Sequence, residues 1–175
     1  MHLKSHYRTR HSGYDAAMRL SRRSEYGLRA LVDLVRRADE GPIALATLAE
    51  RNRLPAKFLE QIMASLKHAG IVRTTLGAHG GYAIAADPEA VSVGRVIRLL
   101  DGALAPLGCV SLRYYEPCSC VDEAACPLRD VMLDVRDAML DILDRETLAG
   151  LAARSGQASI DPRGLHADAL AGRRP

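Results

Sequence analysis

All four cysteines of the 175-residue chain, Cys109, Cys118, Cys120 and Cys126, fall in one short stretch near its middle. In a reducing compartment thiols packed this closely read as metal ligands or redox groups rather than as a disulfide framework. A single residue separates Cys118 from Cys120, unlike the two-to-four-residue knuckle spacing usual for structural zinc, so zinc ranks below the other thiol chemistries. No GxSxG, P-loop, dinucleotide-binding glycine pattern or HExxH occurs, and no histidine stands with a cysteine and a carboxylate at a recognisable catalytic spacing. The expectation is a protein that is not an enzyme.

The cysteines need elements to hold them. They occupy residues 101–126, a stretch rich in Gly, Pro and Cys that is too long to be a plain connection and is therefore expected to be a sensory loop. Before it, SVGRVIRLL predicts a helix with Ser92 as N-cap. After it, Pro127 opens a long helical pattern. Leu128, Val131, Met132, Val135, Met139, Ile142 and Leu143 share one stripe, with Asp130, Asp134, Asp137 and Asp141 off it. Such a stripe seeks a partner helix, so residues 127–150 are expected to form a dimerisation helix in a homodimer. Residues 151–175, rich in Gly, Ala and Arg, and residues 1–17, polar and without a period, are expected to be disordered.

Residues 18–100 carry a different pattern. Tyr26, Leu28, Leu31, Leu34 and Val35 recur at helical spacing from Ser24 onward, and Asp39-Glu40-Gly41-Pro42 stops them. Leu45, Leu48 and Ala49 give a shorter second helix over 45–51. Pro55 then opens a third, with Phe58, Leu59, Ile62, Met63 and Leu66 inward and Gly70 as its cap. Residues 71–74 and 82–84 read as two strands around a glycine-rich turn. Three helices and a hairpin predict a winged helix-turn-helix domain in a mainly α protein. The composition agrees: 48% of residues are hydrophobic but only 4% aromatic, which favours Leu/Ala-rich helices over a sandwich.

Charge says which half meets a polyanion. Residues 18–75 hold eleven Arg/Lys against six Asp/Glu, whereas 101–150 hold four against ten. The third helix is short enough to lie in the major groove of double-stranded DNA, with Ala56, Lys57, Glu60 and Gln61 as its candidate base and phosphate readers. His79 sits among glycines at the hairpin tip, where backbone can approach phosphates or a minor groove. Arg19, Arg22, Arg23, Arg51, Arg53 and Arg73 are candidate phosphate contacts. No run approaches the roughly 18 apolar residues of a membrane span, and no secretory signal precedes the fold, so the protein is expected in the cytoplasm.

Four strings, MRLSRRSEYGLRAL from Met18, IALATLAE, PAKFLEQIMASLKHAGIV and GAHGGYAIA, together resemble the Rrf family of bacterial winged-helix transcription regulators, a resemblance spanning residues 18–152. It implies a homodimer on a palindromic promoter site. It also implies, from the family's sensor members, a 2Fe-2S or 4Fe-4S iron-sulfur cluster held by three loop cysteines and a fourth ligand, since thiolates are soft anionic donors that suit iron. Cys120 and Cys126 fit the second half of that cysteine pattern, while Cys118 lies too near Cys120 and Cys109 too far upstream. Arg129 stands where iron-sulfur members place a histidine. Glu25, just before Tyr26-Gly27-Leu28-Arg29, matches an acidic ligand of nitric-oxide-sensing relatives and in a domain-swapped dimer would reach the partner's cluster. The resemblance leaves two other roles open: a cluster-free regulator that senses through thiols or a metabolic enzyme partner, and an adaptor of the same fold.

Overall fold

A computed structural model describes residues 20–77 and 80–154. The expected order of elements is present. Helix α1 (Arg22–Arg36) starts where the Ser21 hydroxyl accepts hydrogen bonds from the N–H groups of Arg23 and Ser24. Its Leu28, Leu31 and Leu34 turn inward, as their spacing requires. Helix α2 (Leu45–Asn52) ends on Arg53 in the left-handed region (φ 54°), and only Leu54 and Pro55 separate it from α3 (Ala56–His68), so the pair forms a helix-turn-helix. Gly70, with φ +72°, closes α3 as a left-handed cap.

The wing is a two-stranded antiparallel sheet, β1 (Val72–Thr75) and β2 (Gly81–Ile84), with register running from Val72 opposite Ile84 to Thr75 opposite Gly81. Ile43 and Tyr82 exchange backbone hydrogen bonds of 2.9 and 2.8 Å, which ties the wing to the entry of α2. This contact needs glycine at 81, where a Cβ would sit 2.3 Å from the Ile43 carbonyl oxygen. Leu31, Leu48, Leu59, Ile62, Met63, Leu66, Ile71 and Val96 are fully buried and form one core beneath the three helices and the wing.

Helix α4 (Val93–Asp101) crosses α1, with Ser92 capping it by accepting from the Arg95 N–H at 3.1 Å. Residues 102–126 then make the expected excursion, containing one 3-10 turn (Gly108–Val110), and α5 (Pro127–Arg145) follows.

Two expectations for the C-terminal part need correction. The helix expected over 127–150 stops at Arg145, and residues 151–153, expected to open a disordered tail, belong to a sixth helix, α6 (Leu148–Ala153). Glu146 is extended, Thr147 restarts the helix by accepting from the Gly150 N–H, and Leu148 is completely buried. The chain therefore returns to the domain it left. Val93 N–H donates to the Glu146 carbonyl at 2.8 Å, Leu148 N–H donates to the Val91 carbonyl at 2.9 Å, and Arg36 Nε holds the Ala152 carbonyl at 2.8 Å. A buried leucine and three paired backbone groups outweigh the weak helix signal that Gly150 and the alanines give in sequence. The first helix also starts earlier than expected, at Arg22 instead of Ser24. The expectations for 1–17 and for the chain after Arg154 lie outside the described residues.

Helix α5 divides the apolar stripe. Leu143 packs on the core, Met132, Val135 and Met139 are half-buried, and Leu128, Val131 and Ile142 remain exposed. Arg136 anchors the helix by donating to the Val110 carbonyl at 2.8 Å, and Arg98 of α4 grips Asp144 through two hydrogen bonds.

Candidate DNA-reading surface and cysteine recess

The two faces of α3 have opposite character. Leu59, Ile62, Met63 and Leu66 are fully buried, and Phe58 stacks edge-on against Tyr26 with ring centroids 5.8 Å apart. On the other side Ala56, Lys57, Glu60, Gln61, Ala64 and Lys67 are exposed together. The core thus fixes the roll of the helix and presents the expected readers Lys57, Glu60 and Gln61 on one face.

The expected phosphate contacts separate into groups. Arg22, Arg53 and Arg73 are exposed. Arg51 lies 3.4 Å from Glu40, whose carboxyl is held below its usual value chiefly by its hydrogen bond with Arg37. Arg23 is half-buried and donates to the Ser65 hydroxyl at 2.7 Å, so it serves a contact inside the protein. Arg19 and His79 lie outside the described residues.

The four cysteines meet. Cys109, Cys118, Cys120 and Cys126 all line one open recess of about 270 Å³, together with Leu107, Glu116, Leu128 and Arg129. Cys109 is carried on the 3-10 turn and is buried, which pushes its thiol pKa up. The Sγ atoms of Cys120 and Cys126 are 3.4 Å apart, and the Cys120 N–H points to Cys118 Sγ at 3.3 Å. Cys126 is the residue that precedes α5. The N–H of Arg129 in the first turn pulls its pKa down, while hydrogen bonds with Cys118 and Cys126 push the Cys120 thiol up to about 12.

Glu123 was not among the residues singled out from sequence, yet it organises this loop. Its carboxylate accepts from the Tyr115 hydroxyl at 2.9 Å and from the Cys118 N–H at 3.2 Å, and lies 3.4 Å from Arg129 Nε. The Tyr115 bond is the main reason its pKa is depressed, and the same bond raises that of Tyr115. The sequence signal was a pair of adjacent carboxylates, Asp122 and Glu123, between Cys120 and Cys126. Glu25 is not part of the recess: it is exposed on α1 and faces Arg29 at 3.5 Å.

Among the described residues, no three His, Cys, Asp or Glu side chains converge tightly enough for a single metal ion. Thiols distributed around a void suit a polynuclear cluster, which takes cysteine thiolates at several irons, and Arg129 brings a positive charge to offset them. The donor set therefore fits an iron-sulfur cluster in its chemistry.

Comparison with known proteins adds three findings. The family described as Rrf2, iron-dependent transcriptional regulator, matches residues 20–154. The HTH-type transcriptional regulator CymR of Bacillus subtilis is 34% identical over 136 residues, 78% of this chain and 91% of the relative. The solved structure of B. subtilis CymR, the global cysteine regulator, superposes with a TM-score of 0.67 at 32% identity over 79% of this chain and 99% of its own; that of T. potens IscR gives 0.61 at 32% over 77% and 86%.

Proposed function

Because the chain belongs to the Rrf2 family of DNA-binding transcription regulators, and is not an enzyme, we propose that it binds a palindromic promoter site as a two-fold dimer and reads its signal at the cysteine recess. The observation that carries the DNA-binding half is the exposed face of α3, with Lys57, Glu60 and Gln61 displayed by a fully buried opposite face. Lys57 meets a backbone phosphate, Gln61 pairs with adenine, and Glu60 accepts from a cytosine amino group. The exposed Leu128, Val131 and Ile142 of α5 pair with their own copies, which sets two recognition helices on two half-sites.

Cys109, Cys118, Cys120 and Cys126 would hold an iron-sulfur cluster in the recess. Bound there, it supplies charge and cross-linking that depend on iron and redox state. The chain's own residues turn that into a mechanical signal. Cys126 is the N-cap of α5, so a change at its sulfur acts on the first turn of the dimer helix. Glu123 keeps Tyr115, the Cys118 backbone and Arg129 in register around the thiols. A coupling of about 1–3 kcal/mol between recess and recognition helices changes promoter occupancy roughly 5- to 150-fold. Glu25, exposed on α1 and outside the recess of its own chain, would complete the ligand set from across the dimer axis only where three of the four cysteines bind.

A thiol-based reading rests on the 3.4 Å separation of Cys120 and Cys126, and on the likeness to CymR, a cysteine regulator in B. subtilis. Anaerobic purification with an absorption spectrum and iron and sulfide assays decides between the two. Visible absorbance lost in Cys126→Ala supports the cluster; a colourless, iron-free protein that still shifts promoter DNA supports the thiols. Failure to bind its upstream promoter at low salt overturns both.

A further inference from the structure

The cysteine recess and the reading face of α3 belong to different parts of the chain, and the start of α1 is hydrogen-bonded both to Asp101, from which the cysteine loop departs, and to Ser65 of α3. Asp101 ends α4 and is the root of the cysteine loop, which leaves at once through Gly102 with φ +88°. Its carboxylate accepts from the Ser21 hydroxyl at 2.5 Å and from the Ser21 N–H at 3.4 Å. Ser21 caps α1. Two residues on, Arg23 donates to Ser65 on α3 at 2.7 Å, and the Ser65 hydroxyl donates to the carbonyl of Gln61, one of the reading residues, at 3.2 Å.

Packing repeats the same connection independently. At Gly27 of α1 an added Cβ would lie 2.5 Å from Leu100 Cδ1, next to Asp101, and 3.2 Å from Ile62 Cγ2, next to Gln61. α1 is therefore in close apposition with the last turn of α4 and with the middle of α3 at one point. Close-packed side chains transmit displacement because there is no slack to absorb it.

We propose that Asp101, Ser21, Arg23 and Ser65 are positioning residues that link the root of the cysteine loop to the recognition helix, with Arg23 acting on DNA through Ser65 and not as a phosphate contact. This rests on the reading that the recess receives the signal and α3 reads DNA. Movement of the loop root shifts the cap of α1, and the Arg23–Ser65 hydrogen bond hands that shift to the turn of α3 carrying Gln61. A chain of contacts is a route only if its members are energetically coupled, so the test is a double-mutant cycle.

The full-length protein is compared with Asp101→Ala, Ser65→Ala, the double variant, Asp101→Asn and Arg23→Gln, each checked by thermal melting and sedimentation. Hydrogen exchange in DNA-free protein is the first readout. Asp101→Ala speeds exchange in the first turn of α1 and also around Gln61 in α3, and Asp101→Asn, which keeps an acceptor, restores much of the protection. The second readout is promoter affinity of anaerobically purified protein before and after an iron chelator. The ratio between the two states falls toward one in both single alanine variants, and the double variant lowers it no further. Arg23→Gln compresses the ratio and leaves the salt dependence of binding unchanged.

The linkage is overturned if exchange changes only beside Asp101, if the single effects add independently, or if Arg23→Gln weakens both states equally and lowers the salt slope by about one, the signature of a phosphate contact. A wild-type protein with no difference between states counts against the signal reading instead. The exchange readout then still decides the linkage by itself.

Discussion

Replacing Ile142 with alanine tests the proposed two-fold pairing without touching the core of the subunit. Ile142 is 63% exposed in the single chain, and its neighbours along the same side of α5, Leu128 and Val131, are each 55% exposed. Truncation removes three carbons, each worth about 0.8 kcal/mol on full burial, so the area still open to a partner corresponds to ~1.5 kcal/mol per chain. An isologous interface contains the residue twice, and the ~3 kcal/mol that results weakens the dimer on the order of 100-fold. Sedimentation velocity across a concentration series reads this as a shift of the monomer–dimer midpoint, while urea unfolding of the monomer at high dilution loses only the ~0.9 kcal/mol of side chain already covered within the subunit. Promoter binding becomes steeper in protein concentration and loses apparent affinity in parallel. An unchanged dimer constant in Ile142→Ala, or a wild-type chain that is monomeric at micromolar concentration, would refute pairing through this face.

On α3, Lys57→Ala lowers the slope of log affinity against log salt by about one and weakens binding to all sequences alike, as loss of one phosphate contact does. Gln61→Ala leaves that slope alone and costs ~1–3 kcal/mol at one base pair of the half-site; a competition assay with single-base operator variants separates the two, and identical behaviour refutes the assignment. Leu148→Ala destabilises the domain by about 2–5 kcal/mol in urea unfolding, since the side chain is completely buried, whereas a change below about 0.5 kcal/mol would mean α6 is not part of the core. In iron-free, reduced protein, iodoacetamide modifies Cys126 at a lower pH than it does an ordinary thiol, because the Arg129 N–H lowers its pKa and populates the thiolate earlier as pH rises. Cys120, with a pKa pushed up to about 12, reacts only in far more alkaline solution; mass spectrometry of labelled peptides that found the opposite order would sink this account.

What the sequence determined by itself was whatever depends on near neighbours along the chain. Helical spacing put Leu59, Ile62, Met63 and Leu66 inside and Lys57, Glu60 and Gln61 outside, and the structure places them so. Gly70 and Ser92 marked helix ends because a left-handed turn and a side-chain cap are local requirements. The cysteine cluster was visible as spacing, but its convergence on one recess, and the role of Glu123 in bracing it, were not. Likewise nothing local distinguished Arg23, turned toward Ser65, from Arg22, left exposed, or told that Leu143 faces the core while Ile142 does not. The return of Leu148 to the first domain was missed because a short Ala- and Gly-rich segment has little helical tendency of its own, and it is helical here because its leucine finds a buried place beside α1. Periodicity and caps are set by bonds between residues a few positions apart. Recess, braces and returning helix are set by which distant surfaces exclude water together, and that is decided only when the elements pack.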